Sequence, residues 1–252
     1  MSKQLPVLKQ DKPKMRTSRK IAFILILLFI VLLAVLFFRS SMSKISEVRI
    51  EGSRFYSSEK LLQQSGLHVG EQFFGTSAAD VEHRLEKLDS IEKAVVDKQF
   101  PGVFEIKVQD YATVAYEISD DGLKAILANG SSKPVTGSGI AVEKPILTQW
   151  GDKPDLKAKL SHILASIPNE LTSDISEIIP SPTASFPDRI KMYTRSQFEV
   201  ITAISLLPNK ISYLNQVTQS EEPGQITMLK ADSYVPFKPQ DTAADEENQA
   251  TQ

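Results

Sequence analysis

The chain has 252 residues, of which 41% are hydrophobic and 24% charged, and it contains 11 Gly, 14 Pro and no Cys. This composition excludes collagen-like, low-complexity and wholly disordered proteins, and the lack of Cys excludes disulfides, thiol nucleophiles and Cys-ligated metal sites. The formal charge of -2 combines a net of +8 over residues 1–44 with a net of -10 over the other 208 residues, so the two parts suit different surroundings.

An uninterrupted apolar run occupies residues 21–38 and predicts a transmembrane helix. As a helix, eighteen residues extend about 27 Å, close to the ~30 Å hydrocarbon core of a bilayer. The alternative is a cleaved signal peptide, whose apolar region is shorter and ends at a small-residue cleavage site. The sequence after Phe38, Arg39-Ser40-Ser41-Met42, offers no such site, so the run is interpreted as an uncleaved anchor.

The charges on either side of this run predict its orientation. Seven Lys or Arg residues precede it, whereas Arg39 and Lys44 follow it. By the positive-inside rule, residues 1–20 form a cytoplasmic basic arm and the chain from residue 39 lies outside the cytoplasm. Nucleic-acid binding is the alternative reading of a basic arm, but its place beside a membrane span favours topology, and no nucleic-acid partner is predicted.

The residues after the anchor predict a strand, two helices and two strands. A polar–apolar alternation at 46–51 indicates a strand that ends at Gly52, and Ser57 or Ser58 can cap a short helix with Leu61 and Leu62 turned inward. A second helix beginning near Thr76 and Ser77 places Val81, Leu85 and Leu88 in one apolar stripe. Strands at 91–99 and 104–108 follow, separated by a turn at Pro101-Gly102.

This order of elements behind an anchor resembles a POTRA domain, and the chain as a whole resembles the FtsQ/DivIB family of bacterial division proteins, its DivIB branch in particular. The resemblance is carried by Val48-Arg49-Ile50-Glu51-Gly52, by the segment from Phe100 to Val108, and by Ser233-Tyr234-Val235-Pro236-Phe237. It implies an α+β fold: an N-terminal transmembrane helix, a POTRA domain at 45–111, and a second domain at 112–237.

Residues 112–237 read as a mostly antiparallel β domain with helices. Strands are predicted on both sides of Asp120-Asp121-Gly122, and an amphipathic helix is predicted from Pro154 to Ile167. The three prolines within 176–187 indicate a strand end and loop. Further strands are predicted at 190–194, 198–203, 225–230 and 234–237, with a helix beginning at Pro208. Residues 238–252 are acidic and lack large aliphatic side chains, so a disordered tail is expected.

No arrangement of residues predicts catalysis. The S-x-x-K pattern of penicillin-binding enzymes occurs at Ser41, Ser57 and Ser90, but its S-D-N and K-T-G partners are absent, and three matches show how easily the pattern arises. Phosphate-loop, zinc-protease and serine-hydrolase motifs are also absent. We therefore predict no enzyme activity, metal, cofactor or small-molecule substrate. A membrane-anchored hydrolase or sensor, or a POTRA-bearing assembly factor, is the alternative.

Exposed strand edges are the remaining feature that could provide a function, because a partner segment can join a sheet as one more strand. The family resemblance implies a scaffold of the division complex at the septum. Its implied partners are FtsL-like and DivIC/FtsB-like single-span proteins, with the division peptidoglycan synthase nearby, while the POTRA region would contact membrane-proximal partners. By position in the chain, the partner-binding residues would be Ile226, Met228, Leu229, Tyr234, Val235 and Phe237. Alternation within a buried sheet is the other explanation of these residues, and Tyr234 is the first choice because tyrosine suits an interface with one wet edge.

Overall fold

The computed structural model describes residues 16–119, 122–135, 143–151 and 153–238. They form two compact units, of which the first comprises residues up to 51 together with 58–85 and 95–107. The second comprises 52–57, 86–94 and the chain from 108 onward. Most of the predicted basic arm, the acidic tail after residue 238 and the Asp120-Asp121 pair lie outside the described residues.

The described chain begins with a long helix, α1 (Arg16–Arg39). Within the described ranges, its stretch Arg19–Arg39 is the one helix long and apolar enough to cross a membrane, and none of that stretch is buried. At ~1.5 Å per residue it extends roughly 32 Å, which matches the hydrocarbon thickness. The apolar run at 21–38 lies within this helix.

A three-stranded sheet and two helices follow, in the order that the sequence predicts. The elements are β1 (Glu47–Glu51), α2 (Ser58–Ser65), α3 (Ala78–Leu85), β2 (Ile91–Gln99) and β3 (Val103–Asp110). The strand order is β1-β3-β2, and β1 runs parallel to β3 with Val48 opposite Phe104. Buried Phe104, Ile106 and Val108 alternate along β3 with more exposed residues, as the predicted strand with one dry face requires.

Two details of the helices differ from the sequence-based expectation. Leu62 is exposed rather than turned inward, because α2 buries a stripe formed by Leu61 and Ser65 and a neighbouring residue points about 100° away. Helix α3 ends at Leu85, so the partly buried Leu88 lies beyond the helix instead of continuing its stripe.

The second unit contains a nine-stranded mixed sheet. Its strands are β4 (Thr113–Ser119), β5 (Gly122–Leu127), β6 (Ser132–Pro134), β7 (Ile146–Leu147), β8 (Ile175–Pro180), β9 (Arg189–Thr194), β10 (Glu199–Ala203), β11 (Gly224–Met228) and β12 (Asp232–Pro236). Their order is β12-β11-β10-β9-β8-β7-β4-β5-β6. Among the described strands, five neighbouring pairs are antiparallel and three are parallel, so the sheet is mostly antiparallel, as predicted.

Three helices complete this unit: α4 (Pro154–Ser166), α5 (Asn169–Thr172) and α6 (Leu207–Ser220). Helix α6 is the crossover between the parallel strands β10 and β11, and it contributes Ile211, Leu214 and Val217 to the core. Trp150 is fully buried in the same core, where its indole N–H donates a 3.0 Å hydrogen bond to the Ile178 carbonyl. Trp150 therefore serves the packing of this core.

Several strands of this sheet were not predicted or have other bounds. The prolines within 176–187 indicated a strand end and loop. Residues 175–180 form β8, and Pro180 stands at its end, where a missing N–H is tolerated. The short strands β6 and β7 carry too few residues for an alternating pattern to be visible. Strand β11 ends at Met228 rather than 230, and β12 begins at Asp232.

Candidate partner-binding edge

Strand β12 is the last strand of the nine-stranded sheet. It pairs with β11 in antiparallel register, with Tyr234 opposite Ile226 and Val235 opposite Gln225. Within the described part of the chain, no strand pairs with its other side. One side of β12 therefore presents backbone groups that another strand can reach.

The hydrogen bonds of the pair determine which backbone groups face outward. The Phe237 N–H donates a 3.1 Å bond to the Pro223 carbonyl. Because inward and outward backbone groups alternate along an antiparallel edge strand, Val235 also directs its backbone toward β11, and Tyr234 directs its N–H and carbonyl away from it. Pro236 faces the same way as Tyr234, where its missing N–H removes no bond to β11.

Tyr234 attaches this edge strand to the domain core. Its ring lies 6.3 Å from that of the buried Phe198, centroid to centroid, and its hydroxyl donates a 2.6 Å hydrogen bond to the Glu222 carbonyl. Desolvation, and then the negative charges of Glu221 and Glu222, raise the pKa of the Tyr234 hydroxyl, which therefore remains a donor at neutral pH. The side chain of Tyr234 is thus used within the domain, whereas its backbone is available to a partner.

Val235 and Phe237 form an exposed apolar pair on β12. Their side chains are 59% and 50% exposed, and they alternate with Tyr234, so they project from the other face of the strand. Apolar side chains beside an open edge can contact those of an added strand, as in other complexes formed by strand addition. These two side chains and the Tyr234 backbone define the β12 edge surface.

The other three predicted binding residues have different positions. Ile226 and Met228 lie on β11 with fully buried side chains in the hydrophobic core, as the core-alternation alternative requires. A partner cannot touch them without unfolding the domain. Leu229 follows the end of β11 and is partly buried, so it does not belong to the strand on which the sequence placed it.

Sequence reasoning missed two features that hold β12 in place. The Lys210 ammonium on α6 lies 2.8 Å and 2.7 Å from the two carboxylate oxygens of Asp232, at the first residue of the strand. A Cβ on Gly224 would lie 2.5 Å from the Val235 carbonyl oxygen, so β12 crosses this position too closely for any other residue. Pro236 is the signal that could have identified an edge strand, because proline in a sheet is confined to edges, strand ends and bulges.

The surface cavity in the second unit does not combine a nucleophile with a base. Its volume is about 220 Å³, and it is lined by Arg54, Phe55, Thr113, Tyr116, Ala125, Pro134 and Val135. In the described ranges, no group of three or more His, Asp or Glu side chains is placed to hold a metal ion. The β12 edge surface instead offers hydrogen-bonding backbone and apolar side chains, which suit protein binding.

Comparisons with known proteins identify the family. The family model described as "POTRA domain, FtsQ-type" matches residues 43–111. The cell division protein DivIB of Paenibacillus polymyxa is 61% identical over 250 residues, covering 99% of this chain and 98% of that protein, and DivIB of Brevibacillus brevis is 28% identical over 98% of this chain and 95% of that protein. A solved structure titled as the major extracytoplasmic domain of the trans isomer of DivIB from Geobacillus stearothermophilus is 26% identical, with a TM-score of 0.39, and covers 43% of this chain and 92% of that one. The resemblance noted from the sequence is confirmed by the Paenibacillus relative, and the chain belongs to the DivIB family of cell division proteins.

Proposed function

We propose that this division protein is a non-catalytic, single-pass membrane scaffold that recruits other members of the division complex at the septum. Its partners would be DivIC/FtsB-like and FtsL-like single-span proteins, with the division peptidoglycan synthase nearby. The open side of β12, with exposed Val235 and Phe237 beside it, is the observation that supports this function.

Strand addition explains how such an edge can bind. A partner segment would form backbone hydrogen bonds with the outward N–H and carbonyl of Tyr234, and its side chains on one face would cover Val235 and Phe237. The hydrogen bonds of strand addition supply affinity, and the apolar contacts supply specificity. The Tyr234–Phe198 ring contact and the Lys210–Asp232 ion pair hold β12 in a fixed conformation, so little ordering entropy is lost on binding.

The charge pattern and the anchor support the topology. Residues 1–20 would form the cytoplasmic arm and residues 21–38 the membrane span. Outside the cytoplasm would follow a POTRA domain at 45–111, a β domain at 112–237 and an acidic tail at 238–252. In this scheme the POTRA domain makes a separate contact with membrane-proximal partners.

The function is tested by co-purification of division proteins with the full chain from membranes, comparing wild type, Val235→Asp and Ile118→Asp. Both substitutions place a carboxylate at an exposed apolar position of the same sheet. Ile118 on β4 lies six strands from β12, or roughly 29 Å at ~4.8 Å per strand. Loss of DivIC/FtsB-like partners with Val235→Asp alone is the expected result.

Equal recovery of these partners by all three proteins would remove the β12 edge surface from the proposal. Hydrolysis of cell wall or of a peptide by the purified chain would favour the anchored-hydrolase alternative over a scaffold. Tyr234→Asp is a less clean variant than Val235→Asp, because Tyr234 packs against Phe198 and an introduced charge there destabilises the domain itself.

A further inference from the structure

A group of six phenylalanine rings connects the end of α1 to the interior of the first unit. This juxtamembrane aromatic cluster consists of Phe37, Phe38, Phe73, Phe74, Phe100 and Phe104. The Phe74 ring lies 5.9 Å from that of Phe37, 6.4 Å from that of Phe38 and 6.2 Å from that of Phe100, centroid to centroid. Phe73 and Phe104, which are buried, form the inner end of the cluster.

Hydrogen bonds join α1 to this unit without a free linker. The Phe38 carbonyl, at the end of the helix, accepts bonds from the Ser43 hydroxyl at 2.8 Å and from the Gln72 side-chain amide at 3.1 Å. The Phe73 N–H in turn donates a 2.9 Å bond to the Ser43 carbonyl. The position of the helix end in the membrane therefore also sets the depth of residues 73 and 74.

In the proposed topology, the cluster would lie at the interface of the bilayer's extracytoplasmic leaflet. Phe37 and Phe38 are the last apolar residues of the span before Arg39, so they reach the boundary between hydrocarbon and headgroups. The Phe74 ring contacts that of Phe37, and the Phe100 ring contacts that of Phe74, yet Phe74 and Phe100 are 51% and 55% exposed. If these two rings did not enter the bilayer, water would cover the apolar surfaces of Phe74 and Phe100 directly beside it.

One basic side chain packs against the inner rings of the cluster, and two more follow the end of the span in sequence. The Lys98 ammonium lies 4.7 Å from the centre of the Phe73 ring and donates hydrogen bonds to the Phe73 and Thr76 carbonyls at 2.8 Å and 2.7 Å. Arg39 and Lys44 flank the end of the helix. Lys98 is used inside the unit, but Arg39 directly follows Phe38, so a cation adjoins the end of the span, as suits a leaflet with anionic headgroups over acyl chains.

We propose that Phe74 and Phe100 insert into the headgroup–acyl boundary of the outer leaflet, so that the first unit docks on the bilayer beside its own span. This inference rests on the membrane topology proposed above. Continuity of the cluster with the span identifies lipid as the occupant, since exposed Phe side chains of membrane-surface segments bury into the headgroup–acyl boundary.

The test uses single-cysteine variants of the full chain, which has no native Cys to label. Phe74→Cys and Phe100→Cys report on the proposed surface. Val95→Cys is the matched control, because Val95 is comparably exposed and lies five residues before Phe100, or roughly 17 Å along β2 at ~3.3 Å per residue. Phe29→Cys, near the middle of α1, reports on the anchor. Each variant carries a fluorophore and is reconstituted into vesicles of phosphatidylcholine and phosphatidylglycerol that contain no other protein.

Lipids with a shallow spin label should quench the fluorophores at residues 74 and 100 severalfold more than the one at 95, and aqueous iodide should show the opposite order. Equal quenching at residues 74, 100 and 95 overturns the docking. Labels at 74 and 100 that are shielded from iodide in native membranes but not in the protein-free vesicles also overturn it, because they would indicate a protein contact. A label at residue 29 that resists a deep lipid quencher would contradict the anchor itself, so the two failures are distinguishable.

Discussion

The Tyr234 hydroxyl donates a 2.6 Å hydrogen bond to the main-chain carbonyl of Glu222. This bond joins the last strand of the sheet to the segment that precedes β11, on the side where Tyr234 packs against Phe198. The tyrosine therefore fixes β12 from within the domain, and the backbone on the opposite side of the strand stays open to a partner.

Tyr234→Phe removes this bond and keeps the ring. Because this bond is exposed to solvent, the free energy of unfolding should fall only slightly. Trp150, the one tryptophan of the chain, is buried in the same core, so its fluorescence during denaturation of the full chain in detergent measures the effect. Partner recovery should stay at the wild-type level; its loss at unchanged stability would assign the hydroxyl to the interface instead.

Gly224→Ala tests the close approach of β12 to β11 at Gly224. The added Cβ would lie 2.5 Å from the Val235 carbonyl oxygen and 2.8 Å from the Pro236 Cα, so β12 must shift. A loss of about 1–3 kcal/mol of stability is expected from such overpacking, together with reduced partner recovery. Gly75→Ala is the control, because its Cβ would meet no atom closer than 3.7 Å. Equal losses of stability and of partner recovery by the two variants would contradict this account of the close approach between β11 and β12.

Ile226 separates core packing from partner contact. Its side chain is fully buried on β11, so Ile226→Val should cost about 0.5–1.5 kcal/mol and Ile226→Ala about 2–5 kcal/mol of unfolding free energy. Partner recovery by Ile226→Val should equal that of wild type, because the outer side of β12 is unchanged. Impaired partner recovery by Ile226→Val, with only a small loss of stability, would show that a partner contacts this residue.

Asp188 should make the second unit sensitive to acid. Burial opposes ionisation of its carboxylate, but hydrogen bonds from the Lys159 ammonium at 2.6 Å and from the Ser205 N–H at 3.0 Å outweigh it and lower the pKa of Asp188 below its ordinary value. A lowered carboxyl pKa contributes stability above the unfolded-state pKa of ~3.9 and loses that contribution as the pH falls through the folded value.

Thermal unfolding followed through Trp150 should therefore show a melting temperature that falls below about pH 4, and Asp188→Asn should flatten that fall because the titrating group is gone. The variant should also melt lower than wild type at neutral pH. An identical acid slope for both proteins would mean that other carboxyl groups account for the acid sensitivity.

The sequence predicted those helices and strands that are long enough to show a periodic pattern of apolar residues. The run at 21–38, the strand at 104–108 and the helix predicted to begin at Pro208 all correspond to observed elements. Strand β7 has two residues, and β8 ends in a proline, so no local period revealed them. Their places between β4 and β9 follow from tertiary pairing, which a single sequence does not encode locally.

The sequence predicted the two strands that carry the candidate edge, but not which of their side chains are exposed. Position along the chain pointed to β11 and β12, yet alternation alone could not tell which residues face the core. The structure buries Ile226 and Met228 and exposes Val235 and Phe237. That division depends on which face α6 covers and on the register between the two strands, and both are set by contacts distant in sequence.

Hydrogen exchange at the backbone of β12 tests the central claim most directly, comparing the full chain alone with its complex with a DivIC/FtsB-like partner. Strand addition predicts that the outward Tyr234 amide exchanges rapidly in the free protein and becomes strongly protected in the complex. The Val235 amide, which already faces β11, should be protected in both states. An unchanged exchange rate at Tyr234 in a complex that demonstrably forms would contradict the account.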